Sequence, residues 1–331
     1  MSRGSHGRRV VGMRTESALE ASATQPAFPP TGVRTRNFLG GAALLSLVLG
    51  SPPAWASDGI IEINQAKALA GGVTAGDAPG FPVTLSQEGS YRLTGNLTVA
   101  ELSTAIVITS WNVSLDLGGF TVSGPNACTG YPTTGCTAEG GEPGIWADGV
   151  SHHVRLQNGV VRSFNGRGVY LQGASSTAES LRVMLNGDNG IEVAASGRIV
   201  DCISLANLLD GIHLSSGFIE ASEARANGRV GIWAGSGRVS HSEASWNGRN
   251  GIELTYAGFV EKNTATSNLW SGILMSGARG LAIENRAVGN ALSGIDGGGA
   301  LLSRNVGQDN GGAQVGGGNS LGDNLCGFTL C

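Results

Sequence analysis

Residues 207–254 read NLLDGIHLSSGFIEASEARANGRVGIWAGSGRVSHSEASWNGRNGIEL. Asn207 to Ile212 returns 20 residues later as Asn227 to Ile232, and again as Asn247 to Ile252. Working outward, a Gly followed by Ile or Val recurs at Gly144-Ile145, Gly168-Val169, Gly190-Ile191, Gly211-Ile212, Gly231-Ile232, Gly251-Ile252, Gly272-Ile273 and Gly294-Ile295. An Asn keeps the same phase at Asn165, Asn186, Asn207, Asn227, Asn247, Asn268, Asn290 and Asn310. Five residues before most of these lies a second small polar column: Cys202, Ser222, Ser242, Asn263, Asn285 and Asn305. Repetition at about 20 residues overrides any domain count taken from length.

Within each copy the apolar residues alternate, as in Ile212-His213-Leu214 and Ile252-Glu253-Leu254. Period two means strands, and Gly, Asn and Ser turns separate them where helices would otherwise lie. Coils of this length with two or three short strands predict an all-β fold, a right-handed parallel β-helix stacked at about 4.8 Å per coil. The anchor Ile or Val and the apolar residue two later should face inward. Asn is expected to take the left-handed bend and to bond to the Asn of the next coil, and Gly to supply positive φ and room for close packing. A leucine-rich repeat would need Leu at several fixed positions, whereas the inward positions here are often Ala, Val or Ile.

Ala105 to Val122 alternates strongly and reads as the first coil, so the β-helix is expected over 105–312. Residues 57–104 lack the repeat, with one short helical candidate at Asn64 to Ala70, and are expected to cap the N-terminal end. Residues 313–331 are the expected C-terminal cap. Each open end of a solenoid exposes apolar cross-section and unpaired edges that need cover.

Residues 1–56 read as an export signal with an extended N-terminal region. Arg34 and Arg36 precede the apolar run Phe38 to Leu49, and Ala54-Trp55-Ala56 is a small-x-small cleavage site. Twelve residues at about 1.5 Å each fall short of a bilayer, so no membrane span is expected in the mature chain. Cleavage after Ala56 would leave 15 basic and 23 acidic residues, a net charge of -8. The cations are 19 Arg and two Lys with no basic cluster, which disfavours nucleic acid. Five cysteines suit a periplasmic or extracellular protein. Cys128 with Cys136 and Cys326 with Cys331 are the simplest disulfide pairs; Cys202 is left as an inward, inert thiol.

The chain resembles the exported right-handed parallel β-helix repeat proteins of the pectate-lyase-like superfold. The resemblance rests on Leu115-Asp116-Leu117-Gly118-Gly119-Phe120-Thr121-Val122-Ser123-Gly124-Pro125, on Gln157-Asn158-Gly159-Val160-Val161-Arg162, and on the Asn-x-x-Gly-Ile coils. It implies kinship with pectate lyases, polygalacturonases, alginate and chondroitin lyases and mannuronan epimerases. Their reactive motifs are not matched: no Asp-Pro-His-Glu string and no Arg-Ile-Lys occurs. Nor does a cluster of adjacent-coil Asp suggest a calcium site, so no cofactor or metal is expected. A fold without its site does not carry a function.

The residue after each anchor should point outward in one file: Trp146, Tyr170, Glu192, His213, Trp233, Glu253, Leu274 and Asp296. Exposed rings can stack on pyranose faces, and the carboxylates and His can bond hydroxyls, so a polysaccharide is the partner class. Glu192 and His213 fall about 5 Å apart on adjacent coils and are the candidate acid–base pair. Glu253 and Asp296 fall about 9 to 10 Å apart, at the edge of inverting-glycosidase spacing. Arg229 and Arg249 lie in the preceding turns. Three functions follow: a non-catalytic rod binding polysaccharide or a cell-envelope partner, a polysaccharide lyase or hydrolase, or a purely structural surface protein. The bland expectations are a surface turn at His152-His153, solvated faces at Glu223, Arg225 and Glu243, and no phosphate cradle at Asp296 to Gly299.

Overall fold

The computed structural model describes residues 59–277 and 279–331. The expected export signal lies outside them. The described residues form one compact unit. Among the described residues no helix is long and apolar enough to cross a membrane.

The chain winds through about 12 turns of a parallel β-solenoid with coils of about 21 residues. Among the described residues thirty strands join one hydrogen-bonded ladder that turns through three faces. The first face runs from Val83–Leu85 through Ile106–Ile108 and Ile145–Ala147 to Val315–Gly316. The second runs from Ile61–Ile63 through Gly89–Leu93 to Asn319–Ser320. The third runs from Leu97–Thr98 through Thr121–Ser123 to Leu325–Cys326. Long strands such as Ile212–Glu220 serve the first and second faces in turn.

Alternation decides what is buried. Ile145, Val169, Ile191, Ile212, Ile232, Ile252, Ile273 and Ile295 are all 0% exposed. The residues two later, among them Leu171, Leu214, Leu254 and Met275, are buried beside them. The core is therefore a set of aliphatic files, each side chain resting on its equivalent one coil away.

Two polar ladders line the corners. Asn186 Nδ2 donates to Asn207 Oδ1 at 2.9 Å, and the pattern continues through Asn227, Asn247, Asn268, Asn290 and Asn310. Gln314 ends it, accepting from Asn310 Nδ2 at 2.9 Å. The second column, from Asn263 through Asn285 and Asn305 to Asn324, repeats the arrangement. Stacking lets each amide satisfy the buried polar groups of its neighbour, which an apolar side chain would leave orphaned.

The bend residues differ from expectation. The left-handed conformation belongs to the residue before each Asn of the first ladder: φ is 53° at Ala206, 55° at Ala226 and 58° at Trp246. The anchor Gly, in turn, is required for space. A Cβ on Gly231 would lie 2.5 Å from Asn247 Nδ2 and 2.6 Å from Gly251 O. Only a hydrogen fits between the chain and the amide of the next coil.

The boundaries also differ. Ladder pairing begins at Ile61, and Val83–Leu85, Gly89–Leu93 and Leu97–Thr98 complete a full coil before Ala105. That coil has inward Val83, Leu85, Tyr91, Leu93 and Leu97 but turns without ladder Asn, so it keeps the alternation and lacks the repeat. The helix Gln65–Ala70 lies within this region, with Asn64 as its N-cap accepting from Lys67 N at 3.0 Å. At the other end, coil pairing continues past Gly312 to Cys326, and Leu325–Cys326 turns into an antiparallel pairing with Thr329–Leu330. Disulfides join Cys128 to Cys136 and Cys326 to Cys331, and Cys202 is a buried free thiol.

Candidate functional site

The outward file of the first face forms in register. Trp146 pairs with Tyr170, Tyr170 with Glu192, Glu192 with His213, His213 with Trp233, Trp233 with Glu253, Glu253 with Leu274, and Leu274 with Asp296. All seven expected polar and aromatic residues thus share one line, on a rigid sheet whose reverse side is the aliphatic core.

Glu192, His213 and Glu253 are each positioned from three residues upstream, in the turn leading to the anchor Gly. Asn189 Oδ1 accepts from Asp210 N at 2.9 Å, and its Nδ2 donates to Glu192 at 2.8 Å. Asn250 Oδ1 accepts from Ser271 N at 3.1 Å, and its Nδ2 donates to Glu253 at 2.9 Å. Asp210 Oδ1 accepts from Val230 N at 3.1 Å, while Oδ2 faces His213 Nδ1 at 3.2 Å. Each turn residue therefore ties the next coil's backbone with one arm and steers the outward residue of its own coil with the other. Asn189, Asp210 and Asn250 each directly precede the anchor Gly, a sequence position that would have disclosed them.

Glu192 and His213, expected as a pair, take different partners. Glu192 is 8% exposed and its carboxylate is held by the Arg167 guanidinium together with Asn189. His213 instead turns to Asp210. Arg167 also lies 3.6 Å from Asp188 and 4.3 Å over the Tyr170 ring. Burial pulls its pKa down, but the bond and charge of Glu192, with Asp188 and Tyr170, hold it above its usual value. The separation of partners has a simple cause. An outward carboxylate within reach of an Arg in the turn of the preceding coil satisfies itself there, and the imidazole one coil on takes the Asp of its own turn.

The rings are oriented differently from a flat platform. His213 and Trp233 stack with centroids 4.0 Å apart and planes inclined by 18°. Their Cα atoms are register partners on adjacent coils, so the line joining the rings follows the stacking direction. The ring planes therefore lie across that direction, and their edges, rather than their faces, look outward. Trp146 Nε1 donates to Gln172 at 3.0 Å, and Gln172 donates to the Tyr170 hydroxyl at 2.9 Å. Together with Arg167 over Tyr170, this makes a face of ring edges and hydrogen-bonding groups.

Other positions fall elsewhere. His152 accepts from Ala174 N at 3.0 Å, a backbone contact within a turn. Asp296 accepts from Gly298 N at 3.2 Å. Arg249 lies 5.2 Å over Trp270, in the turn column beside the file. The Cys128–Cys136 hairpin lies along the ridge bordering the file, where Cys128 Sγ is 3.3 Å from Leu185 O and Thr133 N donates to Ala226 O at 3.0 Å. A cavity of about 370 Å³, lined by Leu69, Phe81 and Val99, belongs to the first coils. Among the described residues no group of three or more His, Cys, Asp or Glu could hold a metal ion.

Comparison with solved structures decides the architecture. The Dettilon tailspike protein (gp208) superposes with a TM-score of 0.51 at 14% identity, over 73% of this chain and 60% of that one. The fold is a right-handed parallel β-helix. The A-module of the Azotobacter vinelandii mannuronan C-5 epimerase AlgE4 gives 0.48 at 13% identity, over 71% of this chain and 83% of the module. Pectate lyase Pel9A gives 0.40 at 15%, over 63% of this chain and 62% of the lyase. This β-helix spans about 60% of the length of the tailspike chain. No protein-family model and no curated protein sequence matches the chain.

Proposed function

We propose that this protein is a non-catalytic β-helix, acting outside the cytoplasm, that binds a polysaccharide along the outward file from Trp146 to Asp296. The observation that carries the proposal is the Asp210–His213–Trp233 assembly, in which an imidazole is fixed by a carboxylate and supported by an indole. With Nδ1 taken by Asp210, Nε2 is the ring's remaining hydrogen-bonding atom. Glu253, steered by Asn250, follows one coil beyond Trp233. Prepositioned donors and acceptors repeated at coil spacing suit a polymer of hydroxyl-bearing rings, because their ordering cost is met in folding and not in binding. The named activities of the mannuronan epimerase and the pectate lyase accord with a glycan partner. The two disulfides accord with an oxidising compartment.

Titration calorimetry against a panel of bacterial and plant polysaccharides tests the proposal. A glycan should bind with a change in tryptophan fluorescence. His213→Ala should weaken it at least tenfold, about 1.4 kcal/mol, with an unchanged melting temperature. Absence of binding to every glycan in the panel would remove the proposal.

One observation favours a second function, a lyase or hydrolase: Asp210 orients His213 as a third group orients a general base. Release of reducing ends, or growth of unsaturated-uronate absorbance, lost in His213→Ala, would establish it.

A further inference from the structure

The second face carries an outward file that the glycan proposal leaves unused. On four consecutive coils it reads Arg198, Phe218, Arg238 and Phe259, paired in register. Both phenylalanines are 52% exposed, and the Arg198 and Arg238 side chains 57% and 45%. The neighbouring file, two residues on, reads Val200, Glu220, Ser240 and Glu261. Arg198 lies 3.9 Å from Glu220, and Arg238 is paired with Glu261. Alternate cations and bare aromatic rings, with no net charge, make a costly surface to leave in water.

We propose that this face is an isologous interface, on which a second copy of the chain packs with its rod antiparallel. The two-fold axis lies along the strand direction, midway between Phe218 and Arg238. Such an axis reverses each file against itself. Phe218 then meets Arg238 of the second copy, and Arg198 meets Phe259, so that every rung of the four is a guanidinium on a ring. In the neighbouring file Glu220 meets Ser240 and Val200 meets Glu261, so no like charges oppose. An axis along the rod, laid on this file, would instead set Arg198 on Arg198 and Arg238 on Arg238. A shallow depression of about 210 Å³, bounded by Arg198, Phe218, Glu220, Arg238 and Ser240, spans the axis and gives the opposing side chains somewhere to seat. A polyanion fits less well, because each guanidinium already has a carboxylate in the next coil. The first-face file lies on another face of the solenoid and is not consumed.

Sedimentation velocity of the full chain between about 1 and 100 μM tests this, since a patch of four rungs is small for a stable dimer and a micromolar constant is expected. Phe218→Arg should weaken dimerisation at least tenfold, with an unchanged melting temperature, because two guanidinium groups would then oppose. Phe218→Arg combined with Arg238→Phe in the same chain exchanges ring and cation across the axis and should return the constant to within about threefold. A monomer at every concentration, an unaffected Phe218→Arg protein, or no restoration in the double variant would each overturn the proposal. Binding of polygalacturonate by a chain that stays monomeric, lost in Phe218→Arg, would overturn it too and assign the face to a glycan.

Discussion

Asn227 donates from Nδ2 to Asn247 Oδ1 at 3.1 Å, while its own Oδ1 accepts from both the backbone N and the Nδ2 of Asn207, each at 3.0 Å. One amide therefore serves three coils. Its Nδ2 also reaches Ser204 O at 3.1 Å. Asn227→Ala would strand the Asn207 backbone N–H in a fully buried site and take the amide donor from Ser204 O, while Asn207 Nδ2 keeps Val183 O and Ser204 Oγ. At about 1–3 kcal/mol per stranded group, less what relaxation recovers, the loss should be about 3 kcal/mol. Chemical denaturation should show it as a lower midpoint, whereas Glu223→Ala on the solvated third face should stay within about 0.5 kcal/mol. Equal effects would mean that the ladder is decoration.

Gly231→Ala acts on the same contact from the other side. The added methyl would press on Asn247 Nδ2 and Gly251 O, neither of which can retreat without breaking the ladder. Overpacking of this kind costs about 1–3 kcal/mol. Gly149, whose Cβ would meet nothing within 4 Å, is the control and should tolerate Ala with little change in melting temperature.

The files were legible in the sequence because inward position and period leave the same mark on every coil, as Ile212, Ile232 and Ile252 do. The disulfides were legible because each pair closes a short loop. The first coil was not, since Val83 and Leu85 sit between loops that carry no ladder Asn. The roles at the corners were misassigned for a physical reason. Ala206 and Ala226 take the left-handed bend although nothing in their side chains announces it, because the Asn that follows is already bound to the next coil. The Arg167–Glu192 pair was missed because its members are 25 residues apart, and partnership across coils depends on side-chain reach as well as register. The second-face file escaped because Arg and Phe alternate between copies, so no single repeat displays it.

Cys202 occupies the position of Ser222 and Ser242, and its Sγ lies 3.3 Å from Val200 O. The equivalent serines bond the carbonyls of Glu220 and Ser240 at 3.0 and 2.9 Å. Cys202→Ser should therefore be accepted at neutral pH. Burial pushes the thiol from its ordinary 9.0 up to about 12. A raised folded value means stability that is complete below pH 9 and is lost as pH climbs through the folded value, because only the unfolded chain ionises in that window. From pH 8 to 10 the native protein should lose about 1.4 kcal/mol more than Cys202→Ser, one unit's worth. Parallel denaturation curves at the two pH values check this. A thiol reagent that labels the folded chain rapidly would contradict the burial on which it rests.

Arg167 and Glu192 offer a sharper separation of charge from packing. Glu192 is nearly buried, and Arg167→Ala leaves its carboxylate with Asn189 Nδ2 as the one neutral donor named above. Breaking a buried pair costs about 3–5 kcal/mol when both ions are enclosed. The Arg167 side chain is 31% exposed, so about 2 kcal/mol is the expected loss here. Glu192→Gln added to Arg167→Ala removes the unpaired charge while keeping an oxygen for Asn189. The double variant should recover at least half of that loss, a coupling visible in a double-mutant cycle. Strict additivity would mean that Arg167 acts through its packing on Tyr170 and not through the carboxylate.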